Sequence, residues 1–151
     1  NDLLERVRPN TPHLLTWKSY AESDSMTNTP PTFTWYVADL VFQWLKDRGG
    51  VEAIAAVNEL KSRKLYAAID ASDFFTNPVR EDCRSWMNVT MRMRDEDLEK
   101  KFIADAKAVG LHGLKGHRSV GGMRASIYNA MPPEGVKTLV DFMKKFELNN
   151  K

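Results

Sequence analysis

A sequence of 151 residues has the length of one domain and can bury a hydrophobic core without disulfides or bound metal. Its apolar content of 42% and charged content of 28% are typical of a soluble globular protein, and no apolar run is long enough to span a membrane. The formal net charge of +2 is too small to indicate nucleic-acid binding, and the single cysteine, Cys83, excludes an internal disulfide and favours a reducing, cytoplasmic setting.

The first 25 residues show neither a helical nor a strand period, and the chain begins without an initiator methionine. Pro9, Pro12 and a polar cluster from Ser19 to Ser25 interrupt this segment. We therefore expect residues 1–25 to be the end of a preceding large domain followed by a linker. Residues 26–151 are expected to form a small C-terminal domain.

A helical pattern begins at Phe33, because apolar residues recur at intervals of three and four. The stripe consists of Phe33, Tyr36, Val37, Leu40, Val41, Trp44 and Leu45. Asn28 and Thr29 carry side chains that cap helices, Pro30 suits a first helical position, and Gly49-Gly50 ends the pattern. The pattern predicts a helix. The Trp35/Trp44 pair lies on it among apolar neighbours, so core packing is expected at least for Trp44.

A second helix is predicted over about residues 51–70, where a polar face carries Glu59, Lys61, Arg63 and Lys64. A half-buried strand follows, since polar residues alternate with the apolar Met87, Val89, Met91 and Met93. A third helix begins after Asp95, whose side chain can cap it, and ends at Gly110.

The remaining sequence predicts two short strands and a helix. Residues 111–116 and 123–129 are expected as strands on either side of a Gly121-Gly122 bend. In the second strand Arg124 lies on the face opposite the apolar residues. Pro132-Pro133 opens the last helix. The order α-α-β-α-β-β-α predicts an α+β sandwich, with a three-stranded mixed or antiparallel sheet covered by helices on one side.

The turn between these strands is basic and has no acidic neighbours in sequence. No Asp or Glu occurs between Asp105 and Glu134, whereas His117 and Arg118 approach the glycine bend and Arg124 follows it. Arginine is a planar, permanently charged donor that binds carboxylate or phosphate through paired hydrogen bonds. The turn is therefore a candidate anion site, and a solvated basic hairpin is the alternative.

Asn28 and Thr29, before the first predicted helix, form a second candidate site, because phosphate binds at helix N-termini. Plain helix capping is the alternative. His13, His112 and His117 do not have the spacing of a zinc site, and the sequence has no phosphate-loop or dinucleotide glycine pattern. From the residues alone, the chain is an α+β domain with two candidate anion sites.

Several specific stretches occur in the chain: Asn28-Thr29-Pro30-Pro31-Thr32-Phe33, Trp44-Leu45, Gly49-Gly50, Arg84-Ser85, Met87-Asn88-Val89, and a nearly unbroken run from Gly110 to Arg118 and from Gly121 to Pro132. In these stretches the sequence resembles the C-terminal part of the phosphoserine aminotransferases, within class V of the pyridoxal-phosphate-dependent aminotransferases. The resemblance covers essentially residues 1–148.

The resemblance implies the small C-terminal domain of a fold-type I, pyridoxal 5'-phosphate-dependent cytoplasmic homodimer. Such an enzyme transfers an amino group between L-glutamate and 3-phosphohydroxypyruvate, giving O-phospho-L-serine and 2-oxoglutarate for serine biosynthesis. By position, Asn28 and Thr29 match the pair that reaches the cofactor phosphate of the partner subunit. Arg124 matches the ligand of the substrate α-carboxylate, and His117 and Arg118 match residues near the substrate phosphate or side-chain carboxylate.

Two departures from the family pattern qualify this interpretation. Trp86 stands where a basic residue is expected, and no lysine lies in the motif of the family's Schiff-base lysine. Transamination needs that lysine, so we expect no catalytic residue in this chain and no activity from the chain alone. The alternative is a stand-alone α+β module that binds a phosphorylated metabolite without catalysis. Nucleic-acid binding is disfavoured, because no aromatic platform accompanies the basic turn.

Overall fold

A computed structural model describes residues 2–150, which divide into one compact unit ending at Trp44 and another beginning at Leu45. The first unit contains two 3₁₀ turns, Asp2–Glu5 and His13–Leu15, and a short helix α1, Trp17–Glu22. The sequence pattern did not predict these elements. The expected domain division after residue 25 stays a prediction.

Helix α2, Thr32–Asp47, confirms the first predicted helix but begins two residues after Pro30. Proline disfavours helical geometry in the residue before it, so Pro30 is kept out of the helix by Pro31. The Pro31 carbonyl instead accepts the first helical bond, from Trp35 N at 3.1 Å. None of the α2 side chains is buried among residues 2–150. The expected core position of Trp44 is therefore not found, because its side chain is only half-buried.

The second unit contains three α-helices, two strands and a 3₁₀ turn, Glu81–Cys83, among its described residues. The helices and strands are α3, Gly50–Asp70; β1, Asn88–Met91; α4, Glu96–Ala108; β2, Met123–Ser126; and α5, Pro133–Asn150. Strands β1 and β2 pair antiparallel, with Val89 opposite Ala125 and Thr90 opposite Arg124. Val89 and Ala125 are 0% and 2% exposed, so the predicted apolar face of each strand is the buried one. Helix α3 contacts both α5 and β1.

The core of this unit joins the buried sheet face to phenylalanine rings from the helices. Phe102 of α4 is fully buried, and its ring centroid lies 5.1 Å from those of Phe142 and Phe146 on α5. Phe75, in the loop after α3, contacts Phe102 edge-to-face at 5.5 Å. Edge-to-face aromatic pairs stabilise a core beyond the area that they bury. This cluster fixes α4 and α5 relative to each other.

The expected strand over 111–116 is wrong, and the sheet has two strands in the part of the chain that the structure describes. This segment forms one isolated bridge, between Lys115 and Met123. The Leu114 carbonyl accepts a bond from Arg124 N at 2.8 Å, which ties the segment to β2. Gly113 has φ of +76°, a left-handed conformation that interrupts an extended strand.

Two polar residues fix the ends of elements near the sheet. Asp95 caps α4 as predicted, because its Oδ1 accepts a bond from Asp97 N at 2.8 Å. Lys61, expected on the polar face of α3, is instead buried with 1% exposure. Its Nζ donates to the carbonyl oxygens of Ile127, Tyr128 and Met131 at 3.2, 2.8 and 2.9 Å. It therefore fastens the segment after β2 to α3.

Candidate functional site

The second face of the β1–β2 sheet is polar and carries Arg124. Side chains alternate along a strand, so Asn88, Thr90, Arg124 and Ser126 share the face opposite the core. Arg124 is half-buried, and its Nε is fully buried without a hydrogen-bond partner among residues 2–150. The Oγ1 of Thr90, on the opposite strand, is also buried and unpaired. An unpaired buried polar group costs about 1–3 kcal/mol, so this face suits a ligand that accepts hydrogen bonds.

The turn of residues 117–122 joins this sheet to the preceding segment and is closed by backbone hydrogen bonds. The His117 carbonyl accepts bonds from Val120 N at 3.0 Å and Gly121 N at 2.7 Å. The His117 Nδ1 lies 2.7 Å from Ser119 Oγ. The side chains of His117 and Arg118 are exposed. The backbone therefore shapes the turn and leaves both basic side chains available to a ligand.

A cavity of about 310 Å³ lies beside the turn, and its charged lining consists of five basic side chains and the carboxylates of Glu96 and Glu99. His117 and Arg118 both line it, together with Arg92 and Lys115. Glu99 also lines it, but its Oε1 is engaged by Met93 N at 3.0 Å. The structure thus places His117 and Arg118 at the same cavity. Arg124 lies on the adjacent sheet face and does not line this cavity.

Arg92 is a site residue that the sequence interpretation missed. It follows β1, and its Nη2 donates a hydrogen bond to the Val120 carbonyl in the turn. A Cβ built on Gly122 would lie 2.9 Å from Arg92 Cδ, so the arginine side chain packs directly against that glycine. The signal that could have revealed Arg92 is the strand alternation, which puts it on the same face as Thr90.

The arginines of this region are not neutralised within the described chain. None of the ion pairs between residues 2–150 involves Arg92, Arg118 or Arg124. Arg84 differs, because Asp70 holds it through two hydrogen bonds of 2.6 and 2.8 Å, which raise the pKa of its guanidinium. The unpaired arginines have charge available for an anionic ligand.

The second predicted site, Asn28-Thr29, lies in the first unit. Both side chains are exposed, and neither makes a hydrogen bond to another described residue. They do not cap α2, which begins at Thr32. The capping interpretation therefore fails for this pair, whereas the amide and the hydroxyl stay free to hydrogen-bond a ligand.

Within residues 2–150 no group of three or more His, Cys, Asp or Glu side chains is arranged to hold a metal ion. No helix in the same range is long and apolar enough to cross a bilayer. Trp86, the departure noted in the sequence, is 43% exposed and lines a surface cleft with Tyr66 and Arg84. That cleft does not include any of the predicted site residues.

Residues 8–139 match the sequence model of the Aminotransferase class-V family. The chain belongs to this family. A curated relative named phosphoserine aminotransferase, from Hahella chejuensis, is 52% identical over 149 residues, which are 99% of this chain and 41% of the relative. This class-V aminotransferase chain thus spans about two fifths of the length of the curated relatives that it matches.

Solved structures of class-V aminotransferases have the same fold. Phosphoserine aminotransferase from Bacillus circulans subsp. alkalophilus is 42% identical, with a TM-score of 0.92 over 99% of this chain and 42% of that one. PLP-bound phosphoserine aminotransferase from Trichomonas vaginalis is 40% identical, with a TM-score of 0.84 over 91% of this chain and 40% of that one. The resemblance to the C-terminal part of phosphoserine aminotransferase is confirmed.

Proposed function

We propose that this chain is the substrate-recognising C-terminal part of a phosphoserine aminotransferase. The complete enzyme exchanges an amino group between L-glutamate and 3-phosphohydroxypyruvate, giving O-phospho-L-serine and 2-oxoglutarate for serine biosynthesis. The observation that carries the proposal is the buried, unpaired Nε of Arg124 on the polar sheet face. The chain's similarity to phosphoserine aminotransferases supports the choice of substrates.

Arg124 binds the α-carboxylate that both amino-acid substrates share. A guanidinium offers parallel N–H donors that match the two oxygens of a carboxylate. The strand pairing with Thr90 and the bond from Arg124 N to the Leu114 carbonyl hold the arginine backbone from both sides. Such a fixed donor orients the substrate without having to move first.

His117 and Arg118 bind the distal anionic group, which is a phosphate in one substrate and a carboxylate in the other. Both line the basic cavity beside the turn. Arg118 is permanently charged, whereas the Ser119 hydroxyl beside Nδ1 orients the His117 ring. A phosphate carries more charge than a carboxylate, so Arg118 favours the phosphorylated substrate.

Asn28 and Thr29 hold the phosphate of pyridoxal phosphate in the partner subunit of a homodimer. Their free amide and hydroxyl are uncharged donors, and the start of α2 follows at Thr32, so the donor set fits a phosphate. Pyridoxal phosphate, when bound, supplies the electron sink that transamination requires. The lysine that carries the cofactor belongs to the part of the relatives that this chain does not span.

Substitutions in the full-length enzyme test the two arginine roles. Arg124→Ala should raise KM for glutamate and for the phosphorylated substrate together, by about 10- to 150-fold, since a charge-assisted hydrogen bond contributes about 1.5–3 kcal/mol. Arg118→Ala should raise KM for the phosphorylated substrate more than for glutamate. Arg63→Ala, on the exposed side of α3, is the matched control. Unchanged KM values in Arg124→Ala would refute the carboxylate role.

A stand-alone module that binds a phosphorylated metabolite is the second candidate, and the basic cavity of about 310 Å³ favours it. Calorimetric titration of the 151-residue chain with O-phospho-L-serine separates the two functions. Tight, saturable binding supports the module, whereas weak binding supports an incomplete active site. The chain mixed with pyridoxal phosphate should also form no stoichiometric adduct that borohydride traps on one lysine. Such an adduct would contradict the absence of the catalytic lysine.

A further inference from the structure

Arg92 is held firmly at its backbone and lies on the polar side of the sheet. Its N donates to the Thr76 carbonyl at 2.8 Å, and its carbonyl accepts from Thr76 N at 2.9 Å. The neighbouring Met91 and Met93 are 1% and 8% exposed, so alternation directs the Arg92 side chain away from the core. The base of this side chain therefore has a fixed position and direction.

The Arg92 side chain fits against the glycines of the 117–122 turn. Gly121 and Gly122 have φ of +76° and +67°, which glycine adopts without strain. A Cβ on Gly122 would lie 2.9 Å from Arg92 Cδ and Nε, and one on Gly121 would lie 3.4 Å from Nη1. The guanidinium also donates a hydrogen bond to the carbonyl of Val120, within the turn. Arg92 thus contacts three consecutive residues of the turn.

The turn has limited support apart from Arg92. Its backbone bonds at His117 are internal to the turn, and its base is closed by Gly116 N donating to the Gly122 carbonyl at 2.9 Å. The side chains of residues 117–120 are exposed. Arg92 also makes no ion pair with a carboxylate in the described chain, so its hydrogen bond to the turn does not compete with an acid.

We propose that Arg92 is a positioning residue for phosphate recognition. It holds the 117–122 turn against the end of β1, and it thereby places His117 and Arg118 for the phosphorylated substrate. Arg124 does not depend on it, because strand pairing and the Leu114 carbonyl hold Arg124. The inference rests on the proposed function and predicts that Arg92 affects the phosphorylated substrate more than glutamate, because a phosphate carries more charge than the distal carboxylate of glutamate.

The test uses the full-length enzyme with its cofactor and measures the two half-reactions separately. Arg92→Met removes the hydrogen bond while keeping a long apolar side chain. We expect KM for O-phospho-L-serine to rise about tenfold with kcat nearly unchanged, and KM for glutamate to rise less, by about two- to threefold, since its distal carboxylate carries less charge than a phosphate. Arg92→Lys keeps a donor for the Val120 carbonyl and should restore most of the loss. Arg94→Met, an exposed arginine two residues away, is the matched control.

Amide hydrogen exchange adds a readout that does not depend on activity. In Arg92→Met the Gly121 amide should exchange faster, whereas the Arg124 amide in β2 should keep its protection. Gly122→Ala disturbs the same contact from the side of the turn and should cause the same selective rise in KM. It tests the contact even if Arg92→Met does not fold.

The outcomes separate this inference from the proposed function. A selective effect in Arg92→Met with recovery in Arg92→Lys supports the positioning role. Equal losses in both half-reactions, or no loss with O-phospho-L-serine, overturn it. If Arg118→Ala is selective in the same assay while Arg92→Met is not, the proposed function stands and the inference alone fails. If the wild-type enzyme does not act on O-phospho-L-serine, the proposed function fails.

Discussion

Replacing the buried Lys61 by methionine should destabilise the second unit, whereas replacing an exposed lysine on the same helix should leave its stability nearly unchanged. Lys61 is 1% exposed and donates to three carbonyl oxygens beyond β2. Methionine retains the apolar length of the side chain but provides no donor. Lys61→Met therefore removes the hydrogen bonds while leaving little empty space.

The magnitude follows from the acceptors that lose their donor. The Tyr128 carbonyl also accepts from Met131 N at 2.9 Å and keeps that bond. The carbonyls of Ile127 and Met131 have no other donor among residues 2–150. Ile127 is 3% exposed, whereas Met131 is 37% exposed, so only the Ile127 carbonyl is counted as a buried acceptor. An unsatisfied buried acceptor costs about 1–3 kcal/mol, so the free energy of unfolding should fall by about 1–3 kcal/mol.

Urea unfolding, followed by tryptophan fluorescence and circular dichroism, measures this difference in the 151-residue chain. Lys64→Met is the matched control, since Lys64 is exposed on the same helix, and its free energy of unfolding should change by less than about 0.5 kcal/mol. The role of Lys61 in fastening the segment after β2 to α3 would be refuted if Lys61→Met were as stable as the wild type, or if both variants lost the same stability.

The pH dependence gives a second test of the Lys61 environment. Burial lowers the pKa of Lys61 below its usual 10.5. Between the lowered folded value and 10.5 the unfolded chain binds more protons at Lys61, so this group makes stability rise with pH. The stability of the wild type relative to Lys61→Met should therefore increase as pH rises towards 10.5. A difference that is constant or decreases with pH would contradict the effect of burial.

Substitutions at three further positions test the core, a helix cap and the glycine turn by urea unfolding. Phe102→Ala empties the centre of the aromatic cluster and should cost about 3–5 kcal/mol, and a loss under about 1 kcal/mol would contradict its central position. Asp95→Ala should cost about 1 kcal/mol through loss of the α4 cap, whereas Asp95→Asn should be nearly neutral, and equal losses would argue against capping. Gly116→Ala would place a Cβ 2.1 Å from the Gly121 carbonyl oxygen, so it should lower the free energy of unfolding. Wild-type stability in this variant would show that the turn can rearrange to accommodate a methyl group.

Elements with a regular local pattern were predicted well. The 3.6-residue period identified α2, α3, α4 and α5, and the alternation of methionine and valine with polar residues identified β1. Asp95 was recognised as a cap because capping depends on residues that are adjacent in sequence. In each case the cause of the structure lies within a few residues of the element itself.

Elements that depend on distant partners were predicted less well. Residues 111–116 were expected as a strand, but the left-handed Gly113 leaves them only an isolated bridge to Met123. Lys61 occupies a polar helical position, yet the carbonyls that bury it lie more than 60 residues away. Arg92 is unremarkable in sequence, because its partner Val120 is 28 residues away.

The sequence by itself determined helices α2 to α5, the buried face of each strand, and the basic turn without acidic neighbours that carries His117 and Arg118. Periodicity and charge are properties of the chain, so they can be read before it folds. Only the tertiary structure decided that Arg124 keeps a buried, unpaired Nε on the polar sheet face, and that Arg92 supports the turn. Both features arise where β1 and Arg92 contact β2 and the turn before it. These segments lie about 30 residues apart in sequence, so no local pattern encodes their contact.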